Sequence, residues 1–297
     1  MNTLVLAQNV ASNVRAVLVV CMFLIAPVTP TAAETQGGAL VTDLTGTAAF
    51  EGATQGSLTI LSVIQADARV RLASAARLTV LVLESGDEFI FIGPAVIRFS
   101  AAEPQVLEGS KPEKHSSPYA RTGKGVVIDP SGLSQATFVM RGVRHSVPIK
   151  ILSPQGMRVI DAHPEFRWQA VEPGAKYLFK LSDDNGTSIY EYKGEGTLLR
   201  LPLSVTLKDG MNYSWNVSTS GRDGTDYLGS GNLSLASSEL KGRVDKLRPS
   251  VGAPVSERVA FAVWLMQMGL KDEARTYWRD LARERPQDAQ LKSLAEE

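Results

Sequence analysis

The chain carries one cysteine, Cys21, in 297 residues, and three histidines, His115, His145 and His163. Cys21 lies in an apolar N-terminal run, so everything after it is without a thiol for a disulfide, a thiolate nucleophile or a metal site. Charge of one sign is also missing. Lysine plus arginine number 31 and aspartate plus glutamate 31, a balance that exerts no long-range pull on nucleic acid or acidic lipid. Beyond residues 16–28 the apolar stretches, such as LTVLVL (78–83) and WLMQMGL (264–270), are core-sized and fall short of the ~20 residues of a membrane span.

Catalytic signatures are equally sparse. There is no Gly-x-Ser-x-Gly elbow and no Ser-x-x-Lys placed for acylation. TGKG (122–125) fails as a phosphate loop, because Gly125 stands where Ser or Thr should follow Lys124. DAHPE (161–165) puts Asp161, His163 and Glu165 on alternate positions of a strand entry, but no second segment supplies further ligands for zinc. A glycosidase acid pair would leave no local signature, yet the chain divides into small modules. The sequence therefore predicts a non-enzyme with no cofactor, and no catalytic, metal or cofactor-binding residue is assigned.

What is present begins with an export signal over 1–33. Arg15 is the only charge before Glu34, the apolar run 16–28 follows it, and Pro27 and Pro30 break any helix. Thr31 and Ala33 are small residues placed for cleavage between Ala33 and Glu34; an uncleaved anchor is the alternative. Val20 and the apolar residues after Cys21 argue against lipidation.

From 37 to 147 short apolar runs alternate with turn residues, which predicts an all-β module with an exposed polar loop at 111–125. LTVLVL and EFIFI (88–92) flank the turn ESGD, and apolar side chains on both faces of 78–83 require cover on both sides. GSLTIL (56–61) followed by ARVRLASAARLTVLVLESGDEFIFIGPAVIRF (68–99) resembles the periplasmic FecR-type domain. Members of that family commonly restrain a sigma factor through a cytoplasmic arm; here only the export signal precedes the β module.

A second module is expected over 148–236. HPEFRWQAV (163–171), AKYLFKLSDDNG (175–186), TLLRLP (197–202) and LKDGMNYSWNVSTS (207–220) place Phe166 with Trp168, Tyr177 with Phe179 and Leu181, and Tyr213 with Trp215 and Val217 on common strand faces. The order resembles bacterial immunoglobulin-like or fibronectin type III domains. Aromatics at this period build a sandwich core or, alternatively, a sugar-stacking surface. Asn185, Asn212, Asn216 and Asn232 precede x-Ser/Thr, which a segment this rich in Asn, Ser and Thr produces by chance.

Residues 237–254 are polar and read as a linker, and 255–297 as helices. VAFAVWLM (259–266) is apolar all round, so that helix must be buried on several sides. Ala274, Tyr277, Trp278, Leu281 and Ala282 form one face of the next helix, which Pro286 stops, and a last short helix could follow. Ala262, Leu265, Gly269, Ala274, Trp278 and Pro286 resemble one tetratricopeptide unit, with Arg258 in place of its early Trp. A lone unit must dock on its own β modules, a second copy or a partner. Arg275, Arg279 and Arg283 make a stripe that suits an anionic partner or, balanced by Asp272, Asp280 and Glu284, a solvated face. Trp264 with these three arginines is the candidate partner-binding set.

The expected fold is mainly β: a FecR-like module, a fibronectin/Ig-like sandwich and a short helical hairpin. The expected role is that of an exported periplasmic adaptor that binds an envelope or sensory protein, with carbohydrate or peptidoglycan binding as the alternative. Neither nucleic acid nor a stable membrane span after signal removal is expected.

Overall fold

Alternation along residues 39–98 sorts side chains between two sheets. The computed structural model describes residues 38–52, 56–100, 103–117, 119 and 146–296. The signal segment with Cys21, Ala33 and Glu34, the TGKG stretch and His145 lie outside the described residues. The chain is mainly β, with several sheets and four C-terminal helices.

One sheet runs β3 (Val63–Ile64), β1 (Ala39–Thr45), β5 (Arg77–Val82), β6 (Asp87–Ile92), β9 (Glu113–Ser116). The other runs β2 (Ala48–Phe50), β4 (Arg69–Leu72), β7 (Ala95–Arg98), β8 (Gln105–Glu108). All pairings are antiparallel. Ala39, Val41, Leu78, Val80, Val82, Phe89 and Phe91 of the first sheet share a core with Val70, Leu72, Ala95 and Ile97 of the second. Arg69 and Arg71 point outwards from β4, as their alternation demands. The loop expected at 111–125 is corrected in part, since Glu113–Ser116 pairs with β6 while its four side chains stay exposed. Polar side chains on both faces gave that edge strand no apolar signal.

The second module is built in the same way. Its larger sheet runs β10 (Val147–Pro148), β18 (Asp226–Leu235), β17 (Asn212–Ser220), β14 (Lys176–Asp183), β15 (Ser188–Glu195), with β12 (Met157–Val159) also on β18. The smaller sheet runs β11 (Ile151–Ser153), β13 (Glu165–Trp168), β16 (Leu198–Arg200). Val147 thus belongs to this module, one residue before the expected boundary. Phe166, Trp168, Tyr177, Phe179, Leu181, Tyr213, Trp215 and Val217 all point into one core. Phe166 meets Trp215 edge-on at 5.1 Å and Phe179 at 4.8 Å. The sugar-stacking reading of these aromatics is thereby corrected: their faces are spent on each other.

The expected linker at 237–254 is also corrected, because Ser238–Leu247 folds as α1. Ser237 caps it, its hydroxyl accepting from the Leu240 amide at 3.2 Å, and Leu240 and Val244 bury one turn apart. Asp209 holds its first turn through the Ser238 hydroxyl (2.5 Å) and Lys241 (2.7 Å). Only two of its side chains are buried and Gly242 interrupts it, so its composition looks like that of a loop.

α2 (Val255–Gln267), α3 (Lys271–Glu284) and α4 (Ala289–Glu296) follow. Gly269, at φ +78°, turns the chain between α2 and α3. Arg258, where a tetratricopeptide unit carries Trp, donates to Glu284 at 2.6 Å and ties α2 to α3. Among the described residues no helix is long and apolar enough to cross a membrane.

Candidate functional site

The helices occupy the outer face of the first sheet. Leu40 and Leu81 point away from the sandwich core and, with Ile60 and Tyr119, share one buried cluster with α1, α2, α3 and α4. The hairpin around residues 78–83 is covered on one face by its partner sheet and on the other by the chain's own C-terminal helices. The Tyr119 hydroxyl lies 3.4 Å and 3.5 Å from the carbonyl oxygens of Leu247 and Glu257, and burial keeps it protonated far above the usual tyrosine range. Arg285, just past α3, makes a two-pronged ion pair with Asp43 of β1, one arm at 3.2 Å.

The same helices grip the second module. The Arg158 amide of β12 donates to Gly269 O at 2.8 Å, and its guanidinium to Met268 O at 2.6 Å. Ser153 of β11 donates to the Asp272 carboxylate at 2.8 Å, and the Ile160 amide to Glu273 at 3.4 Å. The helical region is therefore a junction between two sandwiches, and residues Thr35–Glu297 form one compact unit.

This placement redistributes the expected partner-binding set. Trp264 is corrected outright: it is fully buried, stacked on Phe261 at 5.7 Å with the Arg243 guanidinium over its ring at 5.8 Å. It is available to no partner because the helix expected to need cover has found it inside the chain. Arg275 pairs with Asp272, the carboxylate that also receives Ser153. Arg283 pairs with Asp280 at 3.0 Å, while Arg279 is exposed and donates to Arg275 O at 3.4 Å. Glu284 serves Arg258 rather than the stripe. Arg279 and Arg283 thus form a solvated face, and Arg275 belongs to the junction.

The other sequence candidates resolve in the same manner. Asp161 binds Arg200 at 3.1 Å, Glu165 binds Arg167, and His163 lies 3.8 Å from Asp161 and 3.4 Å from the Thr206 hydroxyl. A shallow cleft of about 340 Å³ is lined by Arg158, Asn212, Ser237, Glu239, Arg243 and Met268. Both of its guanidiniums are already engaged, Arg158 with Met268 and Arg243 with Trp264.

Two carboxyls stand out electrostatically. Burial raises Glu88 of β6 above its ordinary value, and Glu257 and Asp43 add to the rise; the Ser256 hydroxyl and His115, its register partner on β9, oppose it. Burial likewise raises Glu273 of α3, with Asp272 adding, while backbone amides, Ile160 among them, and Arg248 oppose. One oxygen of Glu273 is buried without a hydrogen-bond partner. A carboxyl whose folded pKa is raised is tolerated best when protonated, so its ionisation weakens the fold as pH rises from about 4.5 through the raised values. Glu88→Gln combined with Glu273→Gln is expected to raise the melting temperature at pH 7 by a few degrees and to change it little at pH 4. An equal gain at both pH values would contradict this origin.

Comparison with known proteins adds little to this geometry. No family model and no curated protein matches the chain. Among solved structures, CopC from Methylosinus trichosporium OB3b aligns at 17% identity and TM-score 0.23, over 30% of this chain and 95% of its own. A cytokine receptor complex aligns at 11% identity and TM-score 0.23, over 70% of this chain and 95% of that one. At that similarity neither structure bears on what this chain does.

Proposed function

We propose that this chain is an exported, non-enzymatic adaptor of the bacterial periplasm that binds an envelope or sensory protein. In this reading the first sandwich is FecR-like, the second fibronectin type III-like, and α2–α3 a tetratricopeptide-like hairpin reused as an internal clamp. The observation that carries the reading is where the apolar surface has gone. The aromatics of the second sandwich and all of α2 around Trp264 are interior, which leaves sheet edges as the extended surfaces on offer. Unpaired edges recruit partner strands through main-chain hydrogen bonds. Among the described residues β8 is such an edge in the first module, and its Leu107 is 48% exposed.

A photo-crosslinking residue at Leu107, with one at Lys292 on α4 as control, tests this in the cell envelope. A discrete protein adduct at 107 and none at 292 is the expected outcome. Retention on cell-wall material without a protein adduct would replace the adaptor with the glycan-binding alternative.

A further inference from the structure

Among the described residues β15 is the longest edge strand of the second module, and in its sequence, SIYEYKGE, Glu191 and Lys193 flank Tyr192 symmetrically. Its inner neighbour is β14, with Phe179 opposite Tyr192, Lys180 opposite Glu191 and Leu178 opposite Lys193. Among the described residues no strand pairs with its other side. Opposed residues share a sheet face. An antiparallel copy that continues the sheet must therefore match odd positions with odd and even with even. Of the registers that allow this, one centred on Glu191 sets Glu191 against itself, and one centred on Lys193 sets Lys193 against itself. Centring on Gly194 pairs Lys193 with Glu195 but joins only the last three residues of the strand, whereas centring on Tyr192 joins Ile189 to Glu195 and places Glu191 opposite Lys193 of the second copy, twice.

The side chains are ready for that register. Lys193 is exposed and has no ion-pair partner among the described residues, whereas Glu191 already meets Lys180 at 3.1 Å. Pairing would extend this into a row of alternating charge, Lys180, Glu191, then Lys193 of the other copy. On the opposite face Tyr190 is half-buried and Tyr192 is 38% exposed. The Tyr192 ring leans along its own strand over Gly194, where an added Cβ would lie 2.2 Å from the hydroxyl. That lean carries each ring away from the centre of the pair and leaves the two backbones free to approach. We propose that β15 pairs antiparallel with β15 of a second copy, about a two-fold axis at Tyr192, to join the two larger sheets into one. The inference stands apart from the adaptor reading, which uses the first module's edge.

The charges allow a test that does not depend on how well any one variant folds. Glu191→Lys sets lysine against Lys193 in its own homodimer, and Lys193→Glu sets glutamate against Glu191. Each single variant is expected to weaken self-association by roughly tenfold or more, read by sedimentation of the purified full chain over a concentration series. Mixed in equal amounts, the two variants restore both Glu–Lys pairs, so a heterodimer is expected where neither variant dimerises alone. With one variant isotopically labelled throughout, native mass spectrometry distinguishes it by mass. A chain that stays monomeric at high concentration, a dimer indifferent to both substitutions, or a mixture no tighter than its components would overturn the proposal. So would a crosslinker at Tyr192 that captured only a different protein.

Discussion

Trp264→Ala is expected to cost about 3–5 kcal/mol, the range for emptying a fully buried large aromatic site. A domain's whole stability is about 5–15 kcal/mol, so the loss should lower the melting temperature by roughly 10 °C. The reason lies in what the side chain touches. It stacks on Phe261 inside a cluster that also holds Leu40, Ile60 and Leu81 of the first β module, so the cavity opens against a sheet as well as between helices. Calorimetry should show one transition moving down, with no helical step splitting away from an unchanged sheet transition. Trp264→Phe should lose far less, since the indole Nε1 has no hydrogen-bond partner to forfeit. An unchanged melting temperature for the alanine variant would mean that the helices do not hold the first module. By the same logic, cutting the chain after Pro254 strips the cover from Leu40 and Leu81. Such a truncation reports on folding before it reports on any partner.

The elements that could be recognised in the sequence are those whose apolar period is unbroken. Residues 69–98 carry strands β4 to β7 where alternation and turn residues place them. Phe166, Trp168, Phe179 and Trp215 announce the second core by their size and period, and Ala274, Trp278 and Leu281 mark the buried face of α3. The missing pieces share a physical cause. α1 buries only Leu240 and Val244, β9 buries nothing, and β15 has charge on one face and half-exposed tyrosines on the other. Each owes its position to neighbours distant in sequence, and a local pattern cannot reveal such neighbours. The candidate site failed for a related reason. Trp264 was legible as a residue in need of cover, but the choice between a partner and the back of β1 and β5 depends on tertiary proximity alone. Arg285, which binds Asp43 across 242 positions, left no signal at all.

β18 is the clearest case of a strand hidden by its composition, and one glycine in it should be among the least replaceable residues of the chain. DYLGSGNLSL reads as a flexible stretch because glycine weakens strands. Yet Gly231 sits directly opposite Trp215 of β17. A Cβ there would lie 2.6 Å from the Trp215 Nε1 and 3.0 Å from the Pro154 carbonyl oxygen, the two atoms that hydrogen-bond to each other at 3.0 Å. Gly231→Ala therefore cannot be absorbed by a flexible side-chain tip. It must displace the indole, break its bond and crowd a core in which Trp215 already meets Phe166 and Phe179. Overpacking costs about 1–3 kcal/mol, and a buried donor and acceptor parted from each other cost about 1–3 kcal/mol more, so a loss of about 2–6 kcal/mol is expected. Gly242→Ala supplies the control. That glycine lies within α1 with open space where its Cβ would go, and alanine there should stabilise by about 0.5–1 kcal/mol through helix propensity. Chemical denaturation of the two variants should move the midpoint in opposite directions. If Gly231→Ala matched the wild type, Trp215 would have room to move that this packing does not allow, and the close approach of β18 to the aromatic core would not be what demands glycine at that position.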